Sequence, residues 1–312
     1  MKTMRFTYLL SFAILFIAGC SEYESIEDFP IAKPTLVANS LFRADSAIKV
    51  HVSRSLSVLD NAEILPITDA RVVIFKDGLP VDTISQADES QYYVSGIVAE
   101  LGHKYSVMVS HSGYDTISSA QESLPASVST GRITAIPVDS TLTELWYHTD
   151  IHDDSAFTYY SMDVGVTIQD PGNQHNIYSL IIMKGDSSIF SSEPFYTIRN
   201  ALFTTSDMAL LDNANFETSD SYHYIAYFDD RNFDGKDYQF KLRIEDNEWT
   251  TFGARYYVVV KSLTETSYKY FRSLSHNYNE TSPFDEPSRV FTNIHNGFGI
   301  FAGYDSKSFR IR

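Results

Sequence analysis

The chain has 312 residues, with 40 Asp and Glu against 24 Lys and Arg and a formal net charge of −16. So acidic a chain, without any basic run, is not built to hold nucleic acid or to lie on anionic lipid. Its one cysteine excludes a disulfide framework and a thiolate metal site, so stability must come from a packed core, and 21 Tyr with 21 Phe favour strands.

Met1 to Arg5 is a short basic start, and Phe6 to Ala18 is apolar apart from Thr7 and Ser11. The apolar run is about 13 residues, short of the ~20 that span a bilayer. Ile17-Ala18-Gly19 places small residues directly before Cys20, the layout of an export signal with its cleavage site. The segment resembles the lipobox of bacterial lipoproteins, with Ile17 where Leu is commoner, in which the cysteine sulfur takes a diacylglycerol. A plain cleaved signal would instead leave an exported protein with one reactive, unpaired thiol. Residues 1–19 are therefore read as a lipoprotein signal peptide and Cys20 as the lipidation site, and several acyl chains there would anchor firmly. Removing Lys2 and Arg5 with the signal takes the mature charge to −18 over 293 residues. Residues 20–32 are polar and acidic without a period and read as a tether. Cys20-Ser21-Glu22-Tyr23-Glu24 also resembles the acidic tag that directs Bacteroidota lipoproteins to the cell surface.

From Lys33 to Pro125 apolar and polar residues alternate between turn signals. Leu36-Val37-Ala38 opens a strand, and Ile48, Val50 and Val52 follow at spacing two on one strand face. Residues 70–75 lead through Lys76-Asp77-Gly78, a tight turn, into 81–84. Residues 91–94, 104–109 and 116–117 complete about seven short strands, the pattern of an immunoglobulin-sized sandwich. It resembles transthyretin-like and carboxypeptidase-regulatory-like sandwiches. Pro125 marks a boundary, since proline cannot continue a central strand.

The second half predicts strands at 133–138, 159–168, 177–183, 222–228, 238–244, 256–260, 300–304 and 309–312. Ser262-Leu263-Thr264-Glu265 matches a capping box, which predicts a helix over 263–277. Leu263, Tyr268, Phe271, Leu274 and Tyr278 fall largely on one side of it, the mark of a core-facing stripe. The fold class expected is mainly β: a sandwich over 33–125, then a β-rich domain over 126–312 carrying that helix.

Two constellations could hold a metal. Asp230-Arg231-Asn232-Phe233-Asp234-Gly235 has the D-x-N-x-D-G opening of a calcium loop, with Asp230, Asn232 and Asp234 as oxygen ligands. The twelfth position, which needs a bidentate Glu, is Lys241, and a turn between two strands explains the same residues without a cation. His148, Asp150 and His152 would share one strand face as ligands, although a polar loop accounts for them equally. The expectation is no resident cofactor, with calcium at the first cluster as the exception to test. No H-E-x-x-H, G-x-S-x-G, Walker A or G-x-G-x-x-G sequence occurs, and nothing marks two of the 40 acids as a glycosidase pair.

Several stretches then resemble the domain-of-unknown-function 4249 family: residues 33–39, 48–53 and 67–72; Asp170-Pro171 with Asn176-Ile177-Tyr178; Phe228-Asp229-Asp230 with Phe233-Asp234-Gly235-Lys236; residues 268–271; and the most specific run, 291–301, FTNIHNGFGIF. The resemblance covers essentially all of the mature chain. It implies a Bacteroidota cell-envelope lipoprotein of a kind often encoded beside TonB-dependent transporters, and it carries over no catalytic residue. The glycines of the last run read as permitting tight backbone geometry between strands.

The functional expectation is a non-enzymatic lipoprotein of the outer membrane facing the exterior, acting as an accessory or substrate-binding subunit of a TonB-dependent barrel. Its ligand is not specified. Tyr222, Tyr224 and Tyr227 could supply contacts, with core packing expected for at least half of them. A surface hydrolase acting on glycan or peptide, and a structural or adhesion protein, are the alternatives.

Overall fold

The computed structural model describes residues 33–56, 65–138, 160–185, 198–212, 214–219, 222–246, 255–279 and 289–311. Cys20 with the tether, and the cluster His148, Asp150 and His152, lie outside these residues. The protein is mainly β. Its first strands are β1 (Leu36–Phe42), β2 (Ala47–Arg54), β3 (Arg71–Lys76), β4 (Leu79–Ile84), β5 (Tyr92–Val98), β6 (Lys104–Ser110), β7 (Ile117–Ser119) and β8 (Glu122–Ser123). Then follow β9 (Ser129–Val138), β10 (Tyr160–Gln169), β11 (Ile177–Gly185), β12 (Ile198–Asn200), β13 (Phe203–Thr205), a one-turn helix α1 (Met208–Leu211), β14 (Asn215–Ser219), β15 (Tyr222–Asp229) and β16 (Asp237–Asp246). The chain closes with β17 (Arg255–Leu263), helix α2 (Glu265–Asn279), β18 (Ile294–His295) and β19 (Phe298–Arg310).

Two sheets result. The larger runs β5-β2-β1-β19-β17-β11-β15-β13-β16-β10-β9, with β12 on β11 and β14 on β15; the smaller runs β18-β7-β6-β3-β4, with β8 on β6. The period-two pattern read from the sequence is what buries the first core. Ile48, Val50 and Val52 of β2 face Tyr105, Val107 and Val109 of β6, and the inward residues of both sheets join one cluster. Tyr93, wholly buried, brings a polar tip into that cluster. Its hydroxyl donates to the Ile67 carbonyl at 2.8 Å and accepts from the Ala70 N–H at 2.7 Å, so the connection into β3 is pinned by a satisfied phenol.

A second core is built from Val164, Val166, Leu180, Phe228, Phe240 and Val258 with their neighbours. The two cores flank the sequence boundary near Pro125, but the sheet does not stop there. β19 carries it across: residues 298–303 pair in parallel with β1, and residues 304–310 pair antiparallel with β17. The two short strands expected at 300–304 and 309–312 are thus one strand of 13 residues. The polar stretch Asp305-Ser306-Lys307-Ser308 hid this, because its place is fixed by the β17 ladder rather than by burial.

The FTNIHNGFGIF run owes its composition to this crossing. Gly299 has φ +112°, and a Cβ there would lie 2.0 Å from the Ala38 carbonyl oxygen of β1. Only glycine tolerates both conditions. Asn293 then acts as a surrogate strand, its Oδ1 accepting from the Phe301 N–H at 2.9 Å while its Nδ2 donates to the Phe301 carbonyl at 2.8 Å.

The helix begins later than the capping box implied. Ser262 and Leu263 still belong to the β17 ladder, paired with Tyr178 and Ile177 of β11. Thr264 is the residue that caps, its Oγ1 accepting from the Ser267 N–H at 3.2 Å. The aromatic stripe is core, as expected: Phe271 stacks on Tyr227 at 6.2 Å and Tyr268 meets the same ring edge-on.

Candidate functional site

Two polar constellations rise from the second core. The first joins two loops, Asp170–Asn176 between β10 and β11, and Asp230–Lys236 between β15 and β16. The second loop folds as a double turn, with the Phe233 N–H on the Asp230 carbonyl at 2.8 Å and the Lys236 N–H on the Phe233 carbonyl at 2.9 Å. Phe233 drops its ring into the core beside Tyr238 and Phe240, which anchors the turn from below. Gly172 and Gly235 let the two backbones touch: a Cβ on Gly172 would lie 2.9 Å from the Gly235 Cα.

Of the predicted calcium ligands, Asp230 and Asp234 come together, and Asp170 from the other loop joins them. Carboxylate oxygens of the three lie within 4.8 Å of one another. Asn232 is not part of the group, and Lys241, the twelfth position, sits well along β16 opposite Gly165. The buried carboxylates have protein donors. Asp170 Oδ1 accepts from the Tyr178 hydroxyl at 2.6 Å and Asn176 Nδ2 at 3.2 Å, and its Oδ2 accepts from the Gly235 N–H at 2.8 Å. Asp230 Oδ2 accepts from the Asn176 N–H at 2.7 Å and Nδ2 at 3.1 Å. Burial, and then the bond to Asp170, pushes the Tyr178 phenol far above its ordinary range, so it is a fixed donor. These contacts make the cluster a latch between two loops; a hard cation would use the same oxygens. Asp170 was readable only as the Asp of an Asp-Pro pair ending a strand, since its partners come from 65 and 8 residues away.

The second constellation lies on the outer face of the same sheet. Met162, Val164, Val166 and Ile168 of β10 point into the core, which turns Asp163 and Gly165 outward. Phe240, Leu242 and Ile244 of β16 likewise leave Gln239, Lys241 and Arg243 outside. Together with Thr134 of β9 and Thr204 of β13 these side chains border a groove of about 560 Å³. Its floor is Gly165, in register with Thr134 on one side and Lys241 on the other. Arg243 holds Asp163 through two bonds of 2.8 and 3.2 Å, and this pairing keeps the Asp163 carboxyl below its ordinary range. The rim is fixed by Asp207. It caps α1 by accepting from the Ala209 N–H at 3.0 Å, takes the Tyr238 hydroxyl at 2.9 Å and accepts from the Lys241 N–H at 3.3 Å. None of these residues stood out in sequence. The available signal was a glycine at an outward position of an alternating strand, which marks a bulge or a close approach.

Tyr227, one of the aromatics considered for ligand contact, is buried under α2. A family model described as domain of unknown function (DUF4249) matches residues 22–310. The chain belongs to the DUF4249 family. The match starts just after Cys20 and takes in both loops, the groove and the crossing strand. No curated protein matches the chain.

Proposed function

We propose that this DUF4249 protein is a lipid-anchored, non-enzymatic binding subunit on the outer surface of the outer membrane, working with a TonB-dependent barrel. The observation that carries this reading is Cys20, the lone cysteine, placed directly after a short apolar export signal and before an acidic tether. The 14 residues from Cys20 to Lys33 reach at most about 50 Å when extended, so β1 begins within about that distance of the lipid. No helix among the described residues is long and apolar enough to cross a membrane, and the anchor supplies the attachment.

The groove fits a binding role. In sheet order four strands separate it from β1, the strand that the tether enters. The carboxylate that lines it, Asp163, is tied to Arg243 and held ionised, and Asp207 at the rim is taken up by three protein donors, which suits a fixed polar wall rather than a proton-donating acid of a hydrolase. The loop latch needs no cation in this reading, and no residue is assigned a catalytic role.

The reading is tested by expressing the full chain and its Cys20→Ala variant in a Bacteroidota host. Wild type should fractionate with outer membrane and be cut by protease added to intact cells. The variant should leave the membrane fraction. Retention of Cys20→Ala in the membrane, or protection of the wild type from external protease, would overturn it.

A further inference from the structure

The groove on the outer face of β10 and β16 has a chemistry of its own. A glycine inside a strand weakens it by about 0.5–1 kcal/mol relative to alanine, so Gly165 calls for a compensating reason. A Cβ at this position would come within 2.5 Å of Thr134 Oγ1 and 2.8 Å of Gln239 Nε2. Both polar groups therefore lean over a spot that has no side chain. Lys241 stands opposite in register, and Arg243 one rung along. The groove's volume, about 560 Å³, lies in the range of small-molecule sites.

The lining selects among small molecules. The side chains of Val164 and Leu242 point into the core, so the groove offers hydroxyls from Thr134, Thr204 and Ser206 and an amide from Gln239, while the Thr205 hydroxyl is spent on the Lys241 carbonyl and the Asp207 N–H. Among the described residues it offers no aromatic face on which an apolar ligand or a neutral sugar ring would stack. Asp163 cancels Arg243, while Lys241 has no ion-pair partner among the described residues. One uncompensated ammonium thus sits beside several hydrogen-bonding groups, in a body whose formal charge is −18 after signal removal. An ammonium next to hydroxyl and amide donors is a receptor for an oxyanion, and the remaining hydroxyls pair with ligand hydroxyls.

We infer that this groove binds a small hydroxyl-rich carboxylate, a sugar acid, with its carboxylate on Lys241 above Gly165. The inference rests on the reading of the protein as a binding subunit and names the ligand class of that site. D-galacturonate is the probe and D-galactose, the same ring without the charge, is the control. Saturation-transfer NMR and calorimetry on the mature chain should show galacturonate binding and galactose at least about tenfold weaker, a difference of about 1.4 kcal/mol. Lys241→Gln, an exposed change that leaves the core intact, should weaken galacturonate by about tenfold, and Gly165→Val should abolish it by filling the floor. Equal binding of galactose, undiminished binding by Lys241→Gln, or no galacturonate signal at millimolar concentration would each overturn the assignment. If galacturonate fails while a barrel still co-purifies with the protein, the ligand class falls and the subunit reading stands. If galacturonate binds and no barrel co-purifies, the partner is wrong and the groove stands.

Discussion

Replacing Asp170 with alanine isolates the latch between the two loops. The carboxylate serves three donors: the buried Tyr178 hydroxyl, the buried Asn176 amide and the Gly235 N–H. A hydrogen bond to a charged acceptor is worth about 1.5–3 kcal/mol, and a buried donor left unpaired costs about 1–3 kcal/mol. The Tyr178 hydroxyl and the Gly235 N–H lose their acceptor, while Asn176 Nδ2 keeps Asp230 and two carbonyls, so the losses, not fully additive, come to about 5 kcal/mol. Removing one charge beside the buried Asp230 and the exposed Asp234 relieves repulsion that offsets part of this, about 2 kcal/mol. The net is a destabilisation of about 3 kcal/mol, which lowers Tm by roughly 6–12 °C in a chain of this size. Urea and thermal melts of the mature chain measure it, with Tyr178→Phe, which removes one donor, expected to cost about 1 kcal/mol. The same melts run with calcium and with chelator should coincide for wild type, because the buried oxygens already have protein donors. Asp170→Ala melting within a degree of wild type would refute the latch. A chelator-sensitive wild type whose calcium dependence vanishes in Asp170→Ala would assign the cluster to a cation instead.

Gly299→Ala should be far worse than Gly113→Ala although both glycines have positive φ, because the first would drive a Cβ into the Ala38 carbonyl and the second meets open space. Backbone strain alone costs about 1–3 kcal/mol, so Gly299→Ala should exceed that and Gly113→Ala should stay within it; equal urea midpoints would contradict the crossing of β19. Burial lifts the Glu122 carboxyl above its ordinary range, with bonds from Thr266 at 2.5 Å and Asn293 at 3.5 Å pulling the other way. A raised folded-state pKa stabilises below the unfolded value and loses that contribution as pH rises through the folded one. Glu122→Gln should therefore raise Tm at about pH 8 and lose the advantage at about pH 3, below the ordinary Glu range. A pH-independent effect would show that Glu122 is not the titrating group.

The sequence revealed what repeats locally. Ile48-x-Val50-x-Val52 and Tyr105-x-Val107-x-Val109 announce buried strand faces, because one side chain in two is apolar whatever the partner strand. Phe271 and Tyr268 announced a packed helix face in the same way. The cap was misplaced by two residues, since Ser262 has Glu265 three positions on and fits a capping box, while Thr264 has Ser267 there and does not; only the β11 ladder keeps Ser262 in the strand. The continuous β19 was invisible because its polar half is held by backbone pairing. Two of the three carboxylates of the loop cluster were legible, Asp230 and Asp234, because a local motif carries them. Asp170 was not, and neither was the groove, where Thr134, Gly165 and Lys241 meet only through strand register. Gly299 was read correctly as a backbone requirement, since two glycines in four residues have few other uses on a strand.

The proposal that this protein serves a TonB-dependent transporter is tested most directly by isolating it from outer membranes. The full-length chain, tagged at its C-terminus and extracted from outer membranes in mild detergent, should bring down a TonB-dependent barrel at near-equal stoichiometry, as judged by mass spectrometry and gel densitometry. Recovery of the protein alone, or with barrels present only at the background level of an unrelated surface lipoprotein, would contradict it.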